Sequence, residues 1–351
     1  MSLEPTYSRI AVVGTGGYAW HFLKALLGCG RFSQVRAVTR KAGAAGSGEK
    51  QARIEALRGL GADIVEYEQK SADVFKAAFD GMDTVISSVG ISGVPDQILM
   101  IDGALLAGVK WFIPSEFGVA HYTSVWMPFA SPLAPKTTVQ SYLTEYVQPK
   151  GLAYTVIYTG LALDYLDPHA IGLNLGRGSA TLVGRGGSPV SFTSVDDVVK
   201  LVVDIVQRPS EMQNRTIRYA ASTAKMRELI KTVTRNEQGE HVKIVSIDEA
   251  KEKFCELAQR QDTQAFQIYC RLLLEEGLGQ INRGRVPLDN CLFPSIKPES
   301  IQHTLRRLMD KAEAERLSRL KSQPAHRTAT GISVTDGLGR MQNHLDDDSS
   351  D

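Results

Sequence analysis

The chain has 351 residues, of which 43% are hydrophobic, and this is enough for one large α/β domain or for two domains that share an interface. Its formal net charge of +1 excludes a protein that attracts nucleic acid or anionic membranes through overall charge. The four cysteines are widely spaced without a C-x-x-C pair, and no signal sequence or membrane-spanning apolar run is evident, so we expect a soluble cytoplasmic protein with free thiols.

The first predicted element is a buried parallel strand over residues 10–13, which a glycine-rich turn and a helical pattern over residues 21–27 follow directly. Such a turn brings backbone N–H groups close to a pyrophosphate, and the dipole of the next helix favours negative charge there. The sequence therefore predicts a dinucleotide site at Gly14, Thr15, Gly16 and Gly17. A plain tight turn is the alternative interpretation.

Trp20 interrupts the glycine pattern. Gly14 and Gly17 fit a G-x-x-G spacing, and three residues further on a glycine would let the helix lie against the sheet, but this chain has an indole there. Two outcomes are open. The indole turns aside and the turn still binds phosphates, which we favour, or the indole fills the phosphate channel and the cofactor is lost.

The second predicted strand, residues 34–39, ends in two basic residues, Arg40 and Lys41. An acidic residue at this place binds the ribose 2′-OH of NAD, whereas a basic one accommodates the 2′-phosphate of NADP. The sequence therefore predicts NADP (NADPH) as the cofactor, with two solvated charges as the alternative. Ser88 lies in the fourth predicted strand, residues 84–90, which runs into a loop at the sheet edge where ligands bind, and is a further candidate.

Predicted strands and helices alternate along the first half of the chain. This pattern predicts the α/β class, with a Rossmann-type doubly wound parallel sheet and a smaller C-terminal α/β substrate domain. The chain is predicted to divide into three parts. Residues 1–158 form an NADP-binding domain, and residues 159–321 form a substrate-binding portion that crosses back to the sheet near residues 190–220. Residues 322–351 form a disordered acidic tail.

Four features in this order resemble the NmrA-like and isoflavone-reductase-like family of atypical short-chain dehydrogenases. They are the glycine turn, the basic strand end, the pentapeptide Pro-Ser-Glu-Phe-Gly at residues 114–118, and Lys136, which opens the next helix. The resemblance spans about residues 8–310. The family contains pinoresinol–lariciresinol and phenylcoumaran benzylic ether reductases and many fungal proteins, and we expect a fungal-type member.

The resemblance implies that Lys136 is the catalytic residue, which binds the cofactor ribose and moves a proton. The more common Tyr-x-x-x-Lys pair has its letters at Tyr146 and Lys150, but Pro149 breaks the helix between them. Glu116 has two interpretations, a general acid or, as is more usual for a carboxylate at a strand end, a cap on the neighbouring turn.

The substrate pocket is expected to be closed and largely apolar, with aromatic and aliphatic walls from residues 119–133 and 158–168. The candidate substrate residues are Phe117, His121, Tyr122, Tyr158 and Leu161. The seven histidines show no ligand spacing such as H-E-x-x-H, so no metal site is predicted.

The predicted function is NADPH-dependent reduction of an aromatic or polyketide-like small molecule, in secondary metabolism, by a monomer or homodimer without nucleic-acid or membrane partners. Two alternatives stay open. One is a cofactor-independent isomerase, dehydratase or cyclase on the same fold, and the other is a non-catalytic regulator that senses NADP.

Overall fold

A computed structural model of the chain describes residues 7–41, 48–120, 131–164, 168–234 and 241–322. Two candidate substrate residues, His121 and Tyr122, lie outside the described residues, and so does the predicted acidic tail from residue 323 onward.

Twelve strands are found in the described residues: β1 (Arg9–Val13), β2 (Gln34–Arg40), β3 (Asp63–Tyr67), β4 (Thr84–Ser87), β5 (Trp111–Ile113), β6 (Ala153–Tyr158), β7 (Leu173–Asn174), β8 (Ser179–Val183), β9 (Pro189–Phe192), β10 (Arg215–Arg218), β11 (Ser222–Lys225) and β12 (Val242–Val245). The α-helices of the same ranges are α1 (Tyr18–Gly28), α2 (Gly48–Gly59), α3 (Ala72–Phe79), α4 (Gln97–Leu106), α5 (Ala134–Tyr142), α6 (Val195–Val206), α7 (Pro209–Met212), α8 (Met226–Thr234), α9 (Ile247–Gln259), α10 (Gln264–Glu275) and α11 (Ile301–Ser322). No helix in these ranges is long and apolar enough to cross a membrane.

Seven strands form the main sheet in the order β10-β6-β5-β4-β1-β2-β3, and every neighbouring pair is parallel. The chain runs outward from β1 to β3 and then returns to the other side of β1 with β4. The order therefore reverses between β1 and β4, which is where ligands bind in open α/β sheets. The predicted Rossmann-type fold is confirmed.

The apolar run of β1 reflects burial on both faces of the sheet. Successive strand residues point to opposite faces, so Ile10 and Val12 pack in one core with α1 and α6. Ala11 and Val13 pack in the other core, with α3 and α4. All four residues are at most 1% exposed, and for this reason the strand is a continuous apolar run.

The chain returns to the main sheet after β9. Strand β10 pairs in parallel with β6, and α6 packs in the same core as α1. A separate core joins α8, α9, α10 and α11 to a small sheet of order β12-β8-β7. The position of a domain boundary stays a prediction, since residues on both sides of 159 contribute to the main sheet.

The predicted helix boundaries shift in two places that bear on the site. Helix α1 begins at Tyr18, directly after the glycine turn, instead of at residue 21. Helix α5 begins at Ala134 with a proline in its first turn, so Lys136 lies inside the helix and does not open it. After Tyr142 the helix widens into a π-turn over Leu143–Val147.

Candidate active site

A cavity of about 920 Å³ lies at the carboxyl ends of the central strands. Glycines and charged side chains line one end, which we call the glycine end: Gly14, Gly16, Gly17, Arg40, Lys50, Lys70 and Asp96. Apolar and aromatic side chains line the other, which we call the apolar end: Leu133, Leu161, Ile171, Phe266, Tyr269 and Leu273. Glu116 and Lys136 line the same cavity.

The glycine turn is too tight for side chains at its first position. Gly14 has a φ of +113°, and a Cβ atom there would stand 2.6 Å from the carbonyl oxygen of Ser88. Gly17 has a φ of +53° and is the N-cap of α1, whose N-terminus no side chain caps. This end of α1 borders the cavity. Such an uncapped N-terminus suits an anionic ligand.

The Trp20 indole points away from the glycine turn, which is the first of the two expected outcomes. The residue is half-buried, does not line the cavity, and has the Lys24 Nζ atom 5.4 Å from its ring centroid. Ala19 takes the close position instead. It is fully buried, and its Cβ atom would stand 3.2 Å from a Cβ added at Gly14. The spacing that matters is therefore Gly14-x-Gly16-x-x-Ala19, in which alanine replaces the last glycine.

The structure does not bring the two predicted basic residues together. Arg40 lines the cavity, but the Lys41 side chain points elsewhere and its Nζ atom donates to Glu68 Oε1 at 2.6 Å. Neighbouring residues of an extended chain point to opposite sides, so both could not face one ligand. Lys50, in the first turn of α2, lines the cavity and donates to the Arg40 carbonyl oxygen.

Lys50 is a site residue that sequence reasoning missed, because the turn of α2 that carries it reaches β2 only in the fold. Burial, followed by the charge of Arg40, lowers the pKa of Lys50. Two cationic side chains thus meet at the end of β2. This arrangement favours a ligand with negative charge at that place.

The other residues predicted for the cofactor divide into two groups. Ser88 lines the cavity, and its N–H donates to the carbonyl oxygen of Val13 at 3.0 Å. Thr15 is buried, does not line the cavity, and has its hydroxyl 3.4 Å from that of Thr39. An ion pair that was not predicted borders the same end, with Lys70 Nζ 2.6 Å from Asp96 Oδ2.

Lys136 lies in the wall of the cavity beside Glu116. Its Nζ atom donates to the Glu116 carbonyl oxygen at 3.1 Å and to the carboxylate oxygen Oε2 at 3.3 Å. The Glu116 side chain is fully buried, and that of Lys136 is 14% exposed. The alternative catalytic pair, Tyr146 and Lys150, does not belong to this site. Tyr146 is 58% exposed, and neither residue lines the cavity.

The predicted substrate residues also divide. Leu161 and Phe117 line the cavity, and the Phe117 ring packs against Phe22 with 5.0 Å between centroids. Tyr158 does not line it, and its hydroxyl accepts a hydrogen bond from Gln140 Nε2 at 2.6 Å. His121 and Tyr122 lie outside the described residues.

Helix α10 supplies most of the apolar end, and sequence reasoning missed it. The Tyr269 hydroxyl and Ser131 Oγ are 2.9 Å apart, which joins two segments 138 residues apart in sequence. Burial raises the pKa of the Cys270 thiol to about 12, so this group is a neutral part of the wall. The only signal in the sequence was the helical spacing of apolar residues, which any core helix shows.

Metal binding finds no support in the described residues. They contain no group of three or more histidine, cysteine, aspartate or glutamate side chains that could hold a metal ion.

Comparison with known proteins gives one family. The sequence profile described as the NmrA-like family matches residues 6–272. An isoflavone reductase homolog from Arabidopsis thaliana, P3, is 27% identical over 234 residues, which are 64% of this chain and 73% of the homolog. The oxidoreductase aprR from Aspergillus flavus is 31% identical over 227 residues, which are 63% of this chain and 71% of that protein.

Among solved structures, the complex of leucoanthocyanidin reductase with NADPH from Vitis vinifera has a TM-score of 0.68. The match covers 86% of this chain and 99% of that one at 18% identity, and it shows the shared fold.

Proposed function

The chain belongs to the NmrA-like family, and from that premise we propose that it is an NADPH-dependent reductase of an uncharged aromatic or polyketide-like small molecule. The observation that carries this proposal is the cavity itself. It joins a glycine turn and the cations Arg40 and Lys50 at one end to an apolar wall at the other, and the half-buried Lys136 lines the same cavity. Relatives of this chain are named as oxidoreductases and reductases, which supports redox chemistry.

The residues of the glycine end fit a dinucleotide. Gly14 leaves no room for a Cβ atom beside the Ser88 carbonyl, which keeps the turn tight, whereas nothing lies within 4 Å of a Cβ at Gly16, so a pyrophosphate can approach the backbone there. The N-terminus of α1 favours the pyrophosphate charge, and Arg40 and Lys50, which line the cavity at the end of β2, would bind a 2′-phosphate. When bound, the nicotinamide supplies the hydride.

Lys136 supplies the proton in this mechanism. Its Nζ atom donates a hydrogen bond to the substrate atom that becomes negative as the hydride arrives, and then transfers a proton to it. The side chains of the apolar end exclude water from this step, and they select a substrate portion without charge.

The cofactor-free alternative depended on an indole in the phosphate channel. Trp20 does not line the cavity, so the indole gives no reason to expect loss of the cofactor. No other observation favours the cofactor-free alternative. The regulator alternative differs from the reductase only in turnover.

Two measurements test the proposal. Calorimetry of the purified protein should show NADPH binding that is tighter than NADH binding. NADPH oxidation with a panel of neutral aromatic ketones, enones and benzylic ethers should identify a substrate class, and Lys136→Met should lower kcat by about 10²–10⁴-fold, as the loss of a general acid does. A folded protein that binds no NADPH would overturn the reductase, and binding without turnover on any compound would favour the regulator.

A further inference from the structure

The turn after β5 is held by hydrogen bonds to residues that follow the two neighbouring strands, β4 and β6. Ser115 Oγ accepts a hydrogen bond from the Val89 N–H at 3.1 Å and donates to the Val89 carbonyl at 2.9 Å. The Ser115 N–H donates to the Gln97 side chain at 2.8 Å. On the other side, the Gly118 carbonyl accepts from the N–H groups of Thr159 and Gly160, both at 3.1 Å. Glu116 therefore lies between two anchored positions.

Phe117 fixes the same turn from the direction of α1. Its backbone has a φ of +20°, which is unusual for a residue with a side chain, and its ring packs against Tyr18 and Phe22. Every residue around Glu116 thus has a structural task. From this turn the Glu116 side chain reaches α5, where it meets Lys136 and Gln140.

Helix α5 presents two groups to the Glu116 carboxylate. Lys136 Nζ is 3.3 Å from Oε2, and Gln140 Nε2 donates to Oε1 at 3.2 Å. The two residues are four positions apart and so lie on one face of the helix. The carboxylate is fully buried, where a charge needs close partners of opposite sign or good hydrogen bonds.

We propose that Glu116 is a positioning residue that holds the Lys136 ammonium at the cavity wall, and that Gln140 orients the carboxylate for this task. The proposal rests on the proposed function in one respect, the catalytic role of Lys136. A lysine side chain is long and flexible, so its Nζ atom keeps one place only if a fixed partner holds it. Both carboxylate oxygens already accept hydrogen bonds from α5, which distinguishes Glu116 from a general acid that serves the substrate.

A double-mutant cycle tests this inference. Glu116→Gln keeps the size of the side chain and removes its charge, and it should lower kcat by about 10–100-fold while the KM for NADPH changes less than about twofold. In a Lys136→Met background the same change should alter the residual kcat by less than about twofold, because Glu116 acts only through Lys136.

The chain offers a matched control. Glu68 forms the other glutamate–lysine pair discussed above, with Lys41, and both side chains are more than half exposed. Glu68→Gln should leave kcat and its pH dependence unchanged. Glu116→Asp, which withdraws the charge by one methylene, should lower kcat without moving the alkaline limb of the pH profile.

A titration separates positioning from a merely structural role. An ammonium that loses its carboxylate partner gives up its proton more easily, so Glu116→Gln should move the alkaline limb of kcat to lower pH than in the unmodified protein. Lys136 contacts Glu116, which Gln140 joins to Tyr158. The other ionisable side chains that line the cavity are Tyr18, Arg40, Lys50, Tyr67, Lys70, Asp96, Tyr269 and Cys270. The same shift should be seen without cofactor, in the ¹³C-methyl NMR signal of dimethylated Lys136, assigned with Lys136→Arg.

Three results would overturn the inference. They are an equal loss of kcat from Glu116→Gln in both backgrounds, an unmoved NMR titration, and a pH limb that shifts equally in Glu68→Gln. Failure of the proposed function has a different signature, because a protein that does not bind NADPH still yields the NMR titration. If Glu116→Gln does not fold, as judged by circular dichroism, Gln140→Leu replaces it and should move the NMR titration in the same direction.

Discussion

The two ends of the cavity are built in different ways. At the glycine end, the three glycines follow β1 and Arg40 is the last residue of β2, so strand ends and the turn after β1 form much of this wall. At the apolar end, the wall combines Leu133 and Leu161 with side chains of α10, more than 100 residues later in the chain. One end therefore depends on local geometry, and the other depends on how distant segments pack.

The two ends of the cavity also differ in the charge of their side chains. At the glycine end, burial and Arg40 lower the pKa of Lys50, so an anionic ligand there would relieve the repulsion between two cations. At the apolar end, burial raises the pKa of Cys270 to about 12 and also raises that of Tyr269. Both groups are neutral at physiological pH. The cavity thus separates an anion site from a neutral wall.

The largest effect is expected from a negative charge in the glycine turn, which tests whether the glycine end binds an anion. Gly17→Asp should weaken NADPH binding by at least about 100-fold, because a carboxylate would repel phosphate where the helix N-terminus favours it. Calorimetry measures the loss. Gly59→Asp is the control, since nothing lies within 4 Å of a Cβ at that position in α2. Unchanged NADPH binding by Gly17→Asp would contradict an anion site at the turn.

The second prediction concerns which lysine, Lys50 or Lys41, binds the 2′-phosphate of NADPH. Lys50→Ala should reduce the preference for NADPH over NADH by about 10–100-fold, the value of one charge-assisted hydrogen bond of about 1.5–3 kcal/mol. Lys41→Ala should change it by less than about twofold, because Lys41 pairs with the exposed Glu68. Calorimetry with both nucleotides is the measurement, and the opposite ranking of the two variants would restore Lys41 to the site.

The same lysine gives a pH dependence. The pKa of Lys50 is lowered in the free protein, and a nearby phosphate would raise it, so binding at alkaline pH takes up a proton. The preference for NADPH should therefore fall as the pH rises through the lowered pKa. In Lys50→Ala this fall should be absent, and a fall of equal size would assign the titration to another group.

The sequence allowed prediction of the fold and of most of the glycine end, because both depend on short-range patterns. Alternating strands and helices indicated a doubly wound parallel sheet, and Gly14, Gly17 and Arg40 line the cavity at its edge. Lys50 and Lys41 could not be told apart, since the direction of each side chain depends on how α2 returns to β2. Tyr269 and Cys270 could not be found at all, because their role comes from packing between segments 138 residues apart.

The apolar end provides a smaller effect. The Tyr269 hydroxyl joins α10 to Ser131 next to α5, and its loss should raise the KM for the substrate by about 3–10-fold, the value of one hydrogen bond of about 0.5–1.5 kcal/mol. NADPH binding by Tyr269→Phe should stay within about twofold. Steady-state kinetics with both substrates varied gives both numbers. Tyr146→Phe, at an exposed tyrosine, is the control, and a larger effect of Tyr269→Phe on NADPH than on substrate would mean that the two ends are not separate.

The smallest expected effect concerns Trp20, the residue that interrupts the glycine pattern. The indole is half-buried beside Lys24 and does not line the cavity, so Trp20→Phe should change NADPH binding by less than about twofold. Ala19 has the opposite expectation, although it is the adjacent residue. It is fully buried against the turn, and Ala19→Leu must push the start of α1 away from Gly14 or displace the turn itself. Calorimetry on both variants, with circular dichroism to show that each is folded, measures the contrast. A loss in Trp20→Phe with intact binding in Ala19→Leu would mean that the indole, and not the alanine, shapes the phosphate site.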